Sequence, residues 1–149
     1  MAKVGRAAYA SSRQRFEALG DADKTITSAE SGEIYALTVD LTSTRTITLP
    51  TPQKGAYFKF MIMADLDGAS LQIKGKSTAD FIVGGIAHQD SDGTTVNFVQ
   101  AAVSDAADVL TIVHSNDGSQ YGSWVELVSD GTYWYCTGVV HSDEIPTIA

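Results

Sequence analysis

The chain has one cysteine, Cys136, and only three prolines among its 149 residues. A single cysteine excludes an intramolecular disulfide. No apolar run approaches the roughly 18 residues that a membrane-spanning helix needs, and residues 1–20 lack the apolar segment of a signal peptide. These absences predict a soluble protein made in the cytoplasm, with no membrane partner. The length argues for one domain that can bury a core of its own.

Basic residues are missing from the second half of the chain. No Lys or Arg follows Lys76, and residues 77–149 contain ten acidic residues, within a chain of net charge −8. The opposite holds at residues 1–15, which contain no acid and four basic residues: Lys3, Arg6, Arg13 and Arg15. An acidic body argues against nucleic acid as a partner, because that binding depends on neutralising phosphates. The basic segment is either an arm that docks on an acidic protein surface or a tail that only aids solubility.

Three zones organise the sequence: an arm at 1–24, a β body at 25–140 and a short tail at 141–149. In the arm, Ser11 and Gln14 fit a capping box and Gly20 could end a helix. About two helical turns over Arg13–Leu19 would be marginal in isolation. We therefore expect the arm to be extended or briefly helical, and to order only by docking on the body or on a partner.

The body has the alternation that is typical of strands. In Tyr57–Ala64, Phe58, Phe60 and Ile62 share one face while Lys59, Met61 and Met63 share the other. Eight further runs read similarly: Ile34–Val39, Thr44–Leu49, Ser70–Lys74, Asp80–Ala87, Thr94–Gln100, Val109–His114, Trp124–Ser129 and Tyr133–Val140. About nine short strands with regular turn signals predict an all-β fold, an antiparallel β-sandwich or barrel.

Four Asp-Gly pairs supply the turn signals. Asp-Gly favours the positive φ angles of tight hairpin turns, and the best-placed pair is Asp130-Gly131. The other three pairs lie 25 residues apart at Asp67, Asp92 and Asp117. Their flanking strands differ in sequence, which favours three similar hairpins over a true repeat. Residues 101–108 fit either one helical turn or a loop.

No catalytic or metal-binding signature is present. Asp65-x-Asp67 and Asp90-x-Asp92 lack the remaining ligands of a calcium loop, so hairpin turns explain them better. His88, His114 and His141 lack metal-ligand spacing, and nucleophile and phosphate-loop motifs are missing. Cys136 has no basic neighbour in its half of the chain, which favours a small buried core residue over a nucleophile. We expect no cofactor, no metal and no enzymatic activity.

Aromatic residues gather around the last two predicted strands. Alternation places Trp134 on the face opposite Tyr133 and Tyr135, so both faces of this strand carry large side chains. Three interpretations remain open for the cluster: sheet core, a subunit interface and a ligand platform. The candidate interface residues are Tyr121, Trp124 and Trp134.

Several segments together resemble a known group of proteins. The segments are Asp23–Gly32, Thr46–Pro50 with Pro52 and Gly55, Tyr57–Ile62, Asp80–Gly85, and Gly122–Gly138 with its Asp-Gly-Thr-Tyr-Trp turn. This order is similar to that of small all-β virion proteins of tailed bacteriophages, and it covers about residues 20–140. The Asp-Gly-Thr-x-Trp ending also occurs in tail-fibre and tail-tip modules. The start, Met-Ala-x-Val-Gly-Arg, is similar to that of head decoration, or cement, proteins.

The resemblance implies a capsid decoration protein that is located on the capsid surface of the virion. It implies the major capsid protein as partner, and a homotrimer or homodimer at a symmetry axis. Lys3, Arg6, Arg13, Arg15 and Phe16 would then form a capsid-binding arm. The alternative is a tail-fibre or tail-tip receptor-binding module that contacts host surface glycans. The group shares no catalytic residues that could be carried over.

Overall fold

The computed structural model describes residues 14–66, 68–91, 93–113 and 121–149, and it confirms the all-β fold class. All nine predicted strands are present, and three short strands join them, so the described residues form twelve. The twelve strands are β1 Phe16–Leu19, β2 Lys24–Thr25, β3 Ile34–Leu37, β4 Arg45–Thr48, β5 Tyr57–Ile62, β6 Leu71–Lys74, β7 Ile82–Asp90, β8 Val96–Ala101, β9 Val109–Ile112, β10 Trp124–Ser129, β11 Trp134–Ser142 and β12 Thr147–Ile148. Two 3₁₀ turns, Ser28–Glu30 and Val103–Asp105, are the helical segments of the described ranges.

The strands form two sheets of a sandwich. The large sheet has the order β1-β3-β5-β10-β11-β7-β8, and the small sheet has the order β12-β9-β6-β4-β2. Both sheets are mixed, which corrects the expectation of a purely antiparallel arrangement. Parallel pairs join β1 to β3, β3 to β5, β2 to β4, β4 to β6 and β11 to β7.

Four of the five parallel pairs arise because the chain changes sheet after each of its first six strands. In these six strands, each new strand therefore pairs with the previous strand of its own sheet, whereas β7 and β11 pair with each other farther across the large sheet. This stacking places like residues in line, so that Leu19, Leu37 and Ile62 form one buried ladder in the large sheet. Ile47 and Ile73 begin a second buried ladder in the small sheet. The two ladders face each other across the core, which explains why both sheets are needed to exclude water.

The core lies between the sheets and is closed by aromatic side chains. Phe58 contacts Trp134, with ring centroids 5.6 Å apart, and Tyr35 stacks on Phe60 at the same distance. These residues are essentially fully buried. The alternation predicted for Tyr57–Ala64 is confirmed, because Phe58, Phe60 and Ile62 all point into this core.

The turn signals are confirmed in part. Asp130-Gly131 forms the hairpin between β10 and β11, where the Asp130 carboxylate accepts backbone N–H bonds from Thr132 and Tyr133 at 2.7 and 2.9 Å. Gly93 lies in the β7–β8 hairpin. Gly68 does not lie in a hairpin, since it follows β5 of the large sheet and precedes β6 of the small one. Asp117-Gly118 falls outside the described residues, and the strands flanking it, β9 and β10, belong to different sheets.

The chain ends contribute strands where they are described. Residues 16–19, considered for a short helix, form β1, because parallel pairing with β3 satisfies their backbone groups. The Arg15 carbonyl begins this pairing by accepting the Ile34 N–H at 2.9 Å. At the other end β11 continues to Ser142, and β12 in the tail pairs with β9. No helix in the described ranges is long and apolar enough to cross a membrane.

Candidate interaction surface

The outer face of the large sheet is unusually apolar for a surface that faces away from the core. Its side chains are those that alternate with the core residues along each strand. One row crosses all seven strands in register and contains no charged or polar side chain. This apolar row consists of Ala18, Ala36, Met61, Trp124, Val139, Ala87 and Phe98. Ala18 and Phe98 are exposed, Ala36 is fully buried and the other four are half-buried.

The apolar row is bordered by further exposed hydrophobic side chains. Phe98 is 75% exposed and Val96, two residues earlier on the same edge strand, is 58% exposed. Val128 and Tyr135, which pair across β10 and β11, are each 45% exposed. Contiguous apolar surface of this kind marks an interaction site, whereas single exposed hydrophobic residues do not.

The outer face of the small sheet provides the contrast. One row across it reads Thr46, Gln72, Thr111 and Thr147, and the next reads Thr25, Thr48, Lys74 and Val109. Threonine suits a strand that faces water, because it combines a β-branched side chain with a hydroxyl. The two outer faces therefore differ in composition: the rows of the small sheet are mostly hydroxyl and amide side chains, whereas the central row of the large sheet is entirely apolar.

The charges on the outer face of the large sheet neutralise each other. Lys59 and Glu126 are the charged side chains at its outward strand positions in the described residues, with Nζ and Oε1 3.0 Å apart. Lys59 Nζ also lies 4.7 Å from the centroid of the Trp124 ring, a cation–π contact. The hydrogen bond from Lys59 lowers the pKa of Glu126, with a further contribution from Tyr57. The outward strand positions of this face therefore carry no net charge, within a chain of net charge −8.

The three predicted interface residues lie in different environments. Trp124 is half-buried at the centre of the outer face, on the middle strand of the large sheet. Tyr121 precedes that strand and is 56% exposed. Trp134 is fully buried in the sandwich core against Phe58, so it is not available for contact with another subunit. The core interpretation therefore fits Trp134, and the surface interpretation remains open for Trp124 and Tyr121.

The predicted arm is described only from residue 14 onward, and Lys3, Arg6 and Arg13 lie outside the described residues. Arg15 is held by the body, because its guanidinium donates to the Ser31 carbonyl at 2.6 Å and lies 3.5 Å from Glu33. Phe16 opens β1 and is 55% exposed on the same outer face as the apolar row. The start of β1 thus continues the apolar surface to the edge of the sheet.

A group of carboxylates beside β1 is neutralised from within. Glu17, Glu30 and Glu33 approach one another closely enough to share an ion. Lys24 already occupies this position, with Nζ 2.8 Å from Glu17 and 3.2 Å from Glu30. Hydrogen bonding to Thr27 and to Lys24 holds the pKa of Glu30 down at about 2. The group is best explained as a network that closes the sandwich edge.

Two of the other residues considered for chemistry, Cys136 and His88, are buried in the sandwich. Cys136 is buried on the inner face of β11, and burial raises the pKa of its thiol to about 11, which confirms the core interpretation. His88 is buried, with Nε2 2.9 Å from the Ser142 carbonyl and Nδ1 3.3 Å from the Asn97 amide. His141 lies on the outer face of β11, and His114 is outside the described ranges. These contacts tie β7, β8 and β11 together.

A groove of about 790 Å³ crosses the outer face near its free edge. Small residues of β7 and β11 form its floor, chiefly Gly85, Ala87 and Thr137, while Phe98 and Gln100 of β8 form a wall. Glycine is required in this part of β7. A Cβ on Gly85 would lie 2.8 Å from the Val99 carbonyl oxygen. The groove is therefore a consequence of tight strand packing and leaves Phe98 standing above its surroundings.

Comparison with known proteins finds no matching family model, no matching curated protein and no matching solved structure. The outer face is therefore interpreted from its own residues. Sequence reasoning named Trp124 as a candidate interface residue but did not find Met61, Val139 or Phe98 as parts of one surface with it. Their alternation was visible strand by strand, whereas the register that aligns them was not.

Proposed function

We propose that the protein is a capsid decoration, or cement, protein of a tailed bacteriophage. It binds the outer surface of the assembled head and stabilises the junctions between capsomers by binding, without turnover. The observation that carries this proposal is the difference between the two outer faces of the sandwich. A decoration subunit needs one surface for its neighbours and another for solvent, and the apolar row and the threonine rows meet these two needs.

The resemblance in sequence supports the same function. Its segments fall on central parts of the body, including β5, β7 and the β10–β11 hairpin. The aromatic ending that resembles those of phage virion proteins is the part of the chain that supplies the half-buried Trp124 and the exposed Tyr135 to the outer face.

The contact with the major capsid protein is assigned to the basic arm. Lys3, Arg6 and Arg13 precede an acidic body, so they can bind an acidic shell surface that the body itself would be repelled by. Arg15 and Phe16 connect this arm to β1. Because Arg15 bonds to Ser31 and Glu33, a deletion that ends at residue 13 removes Lys3, Arg6 and Arg13 and retains the strand.

Co-sedimentation with undecorated, expanded capsids tests the function. We expect the full chain to pellet with the shells saturably, at a few copies per capsomer. The variant lacking residues 1–13 should keep its β-sheet circular dichroism and lose most of its binding. Replacing Lys3, Arg6 and Arg13 by Gln gives a matched variant of unchanged length and should act similarly. A folded full chain that does not pellet with expanded shells would contradict the proposal.

A tail-fibre or tail-tip glycan-binding module is the second candidate, and the groove beside Phe98 favours it. An exposed aromatic ring next to the Gln100 amide and the Thr137 hydroxyl is the combination that can hold a sugar. A glycan array decides between the candidates. Clear binding that is lost in the Gln100→Ala variant would support the tail module, and an empty array would leave the decoration protein as the better explanation.

A further inference from the structure

We propose that the outer face of the large sheet is the interface between two copies of this chain, packed face to face about a two-fold axis that runs along β10 near Trp124. The inference goes beyond capsid binding, which is assigned to the basic arm. It is argued from the order of residues in the apolar row, from the charge of the face and from its area.

The apolar row is self-complementary about its centre. Trp124 lies on the middle strand, with three strands on either side. A two-fold axis through this position reverses the row onto itself. It places Phe98, the bulky residue at one end, opposite Ala18, the small residue at the other end. The same operation places Val139 opposite Met61, Ala87 opposite Ala36, and Trp124 opposite its own copy, so that apolar side chains meet apolar side chains along the row; Ala36 itself is fully buried within its own chain.

The charge of the face favours a second copy of this chain as its binding partner. Two chains of net charge −8 repel each other, and the repulsion is least where the surface carries no net charge. Lys59 neutralises Glu126 within each copy, so the outward strand positions of both faces carry no net charge, although the acidic Asp105 lines the groove at the free edge of the same face. The segment 1–13 is a poor occupant, since it is basic and Val4 and Tyr9 are among its few large apolar residues.

The area of the face suits a stable dimer. Seven strands spaced by about 4.8 Å span roughly 30 Å, and strands of about six residues are roughly 20 Å long. The flat area is therefore about 600 Å² per copy, and the relief of protruding rings increases it towards the ~800 Å² per partner of standard interfaces. Met, Trp, Tyr and Phe are the residue types that such interfaces favour.

Sedimentation velocity over a concentration series tests the interface with the full chain. We expect a dimer of twice the 15.8 kDa chain mass. Phe98→Glu should weaken dimerisation at least about 100-fold, because two apolar contacts are lost per dimer and replaced by buried charge. Ile145→Glu is the matched control, since Ile145 is an exposed apolar residue, 52% accessible, outside the large sheet, and it should dimerise as the unmodified chain does.

A size exchange tests the symmetry itself. Ala18→Phe and Phe98→Ala should each weaken the dimer about tenfold or more. The double variant should recover most of the loss, because Phe at position 18 of one copy then faces Ala at position 98 of the other, which restores one large and one small side chain at each contact. Both positions are exposed in the single chain, so folding is expected to be unaffected.

The results separate this inference from the proposed function. A chain that is monomeric at every concentration, or a Phe98→Glu variant that dimerises normally, would overturn the interface. So would a double variant without recovery. If the unmodified chain is monomeric and Phe98→Glu loses capsid binding instead, the face docks on the shell and the inference is wrong. Loss of dimerisation with capsid binding retained would support both assignments.

Discussion

Gly84 on β7 is a position where even one added methyl group is expected to destabilise the fold. It pairs with Cys136 across the parallel β7–β11 contact, its φ is +104°, and a Cβ would lie 2.6 Å from the Cys136 carbonyl oxygen. The positive φ costs a residue with a Cβ about 1–2 kcal/mol. The contact with a backbone atom costs a further 1–3 kcal/mol or so. Reduced entropy of the unfolded chain offsets about 0.4–1 kcal/mol.

Gly84→Ala should therefore lower the free energy of unfolding by about 1–4.5 kcal/mol. For a domain of about 150 residues this corresponds to a fall in Tm of roughly 2–18 °C. Three matched variants separate the two causes. Gly20→Ala has neither a positive φ nor an atom within 4 Å and should be nearly neutral. Gly122 has a φ of +86°, and an added Cβ would have no atom within 4 Å. Gly122→Ala should therefore lower the free energy of unfolding only by the cost of the positive φ, about 1 kcal/mol.

Gly138→Ala is the third matched variant, and it tests the steric contact of an added Cβ without the cost of a positive φ. Its φ is not positive, but a Cβ would meet the Trp124 carbonyl oxygen and lie 2.9 Å from Val125 Cα. Its cost should be about 1–3 kcal/mol. Urea unfolding of the four variants, with slopes compared, is the measurement. Equal stabilities of Gly84→Ala and Gly122→Ala would refute the reasoning, because the contact with Cys136 would then cost nothing.

Three further predictions concern charge, the core and the thiol. Asp21 and Glu30 have pKa values of about 2 in the folded chain, lowered mainly by hydrogen bonds from Arg45 and from Thr27 respectively. Their contribution to stability is therefore complete above about pH 4.5 and is lost as the pH falls towards 2. In the double variant Asp21→Asn/Glu30→Gln, the urea midpoint of unfolding should fall less steeply across this pH window than in the unmodified chain. Trp134→Phe should lower the free energy of unfolding, measured with urea, by only about 1–2 kcal/mol, which is less than typical large core truncations. The reason is that the indole Nε1 is buried without a hydrogen-bond partner in the described structure, so no hydrogen bond is lost. A loss above about 3 kcal/mol would count against this. Cys136 should react with a thiol reagent only as fast as the chain unfolds, and rapid labelling of the native protein would contradict its burial.

The strands of this fold could be predicted from sequence because each carries its own signal. Alternation located β5 and placed Phe58 and Phe60 in the core, and Asp130-Gly131 located the β10–β11 hairpin. β2 and β12 are two residues long and present no periodicity to detect. The β1 segment fitted a helix cap as well as a strand, and pairing with β3 decided between them.

The pairing of the strands and their division between two sheets could not be predicted from such local signals. Gly68 has the turn chemistry of a hairpin, yet its strands lie in opposite sheets, since the choice between a hairpin and a crossover depends on distant partners. The same holds for the candidate surface. Met61, Trp124 and Phe98 lie on strands remote in sequence, and only the register of the assembled sheet aligns them in one row.

The stabilisation of assembled shells is the most direct test of the proposed function. Undecorated expanded capsids are heated with increasing concentrations of the protein, and the temperature at which the shells lose integrity is followed by light scattering. Because a ligand that binds only the intact shell stabilises it by mass action, this temperature should rise and continue to rise with the logarithm of free protein beyond saturation. The variant lacking residues 1–13 should leave the temperature unchanged. A full chain that binds the shells without raising their disruption temperature would contradict a cementing role.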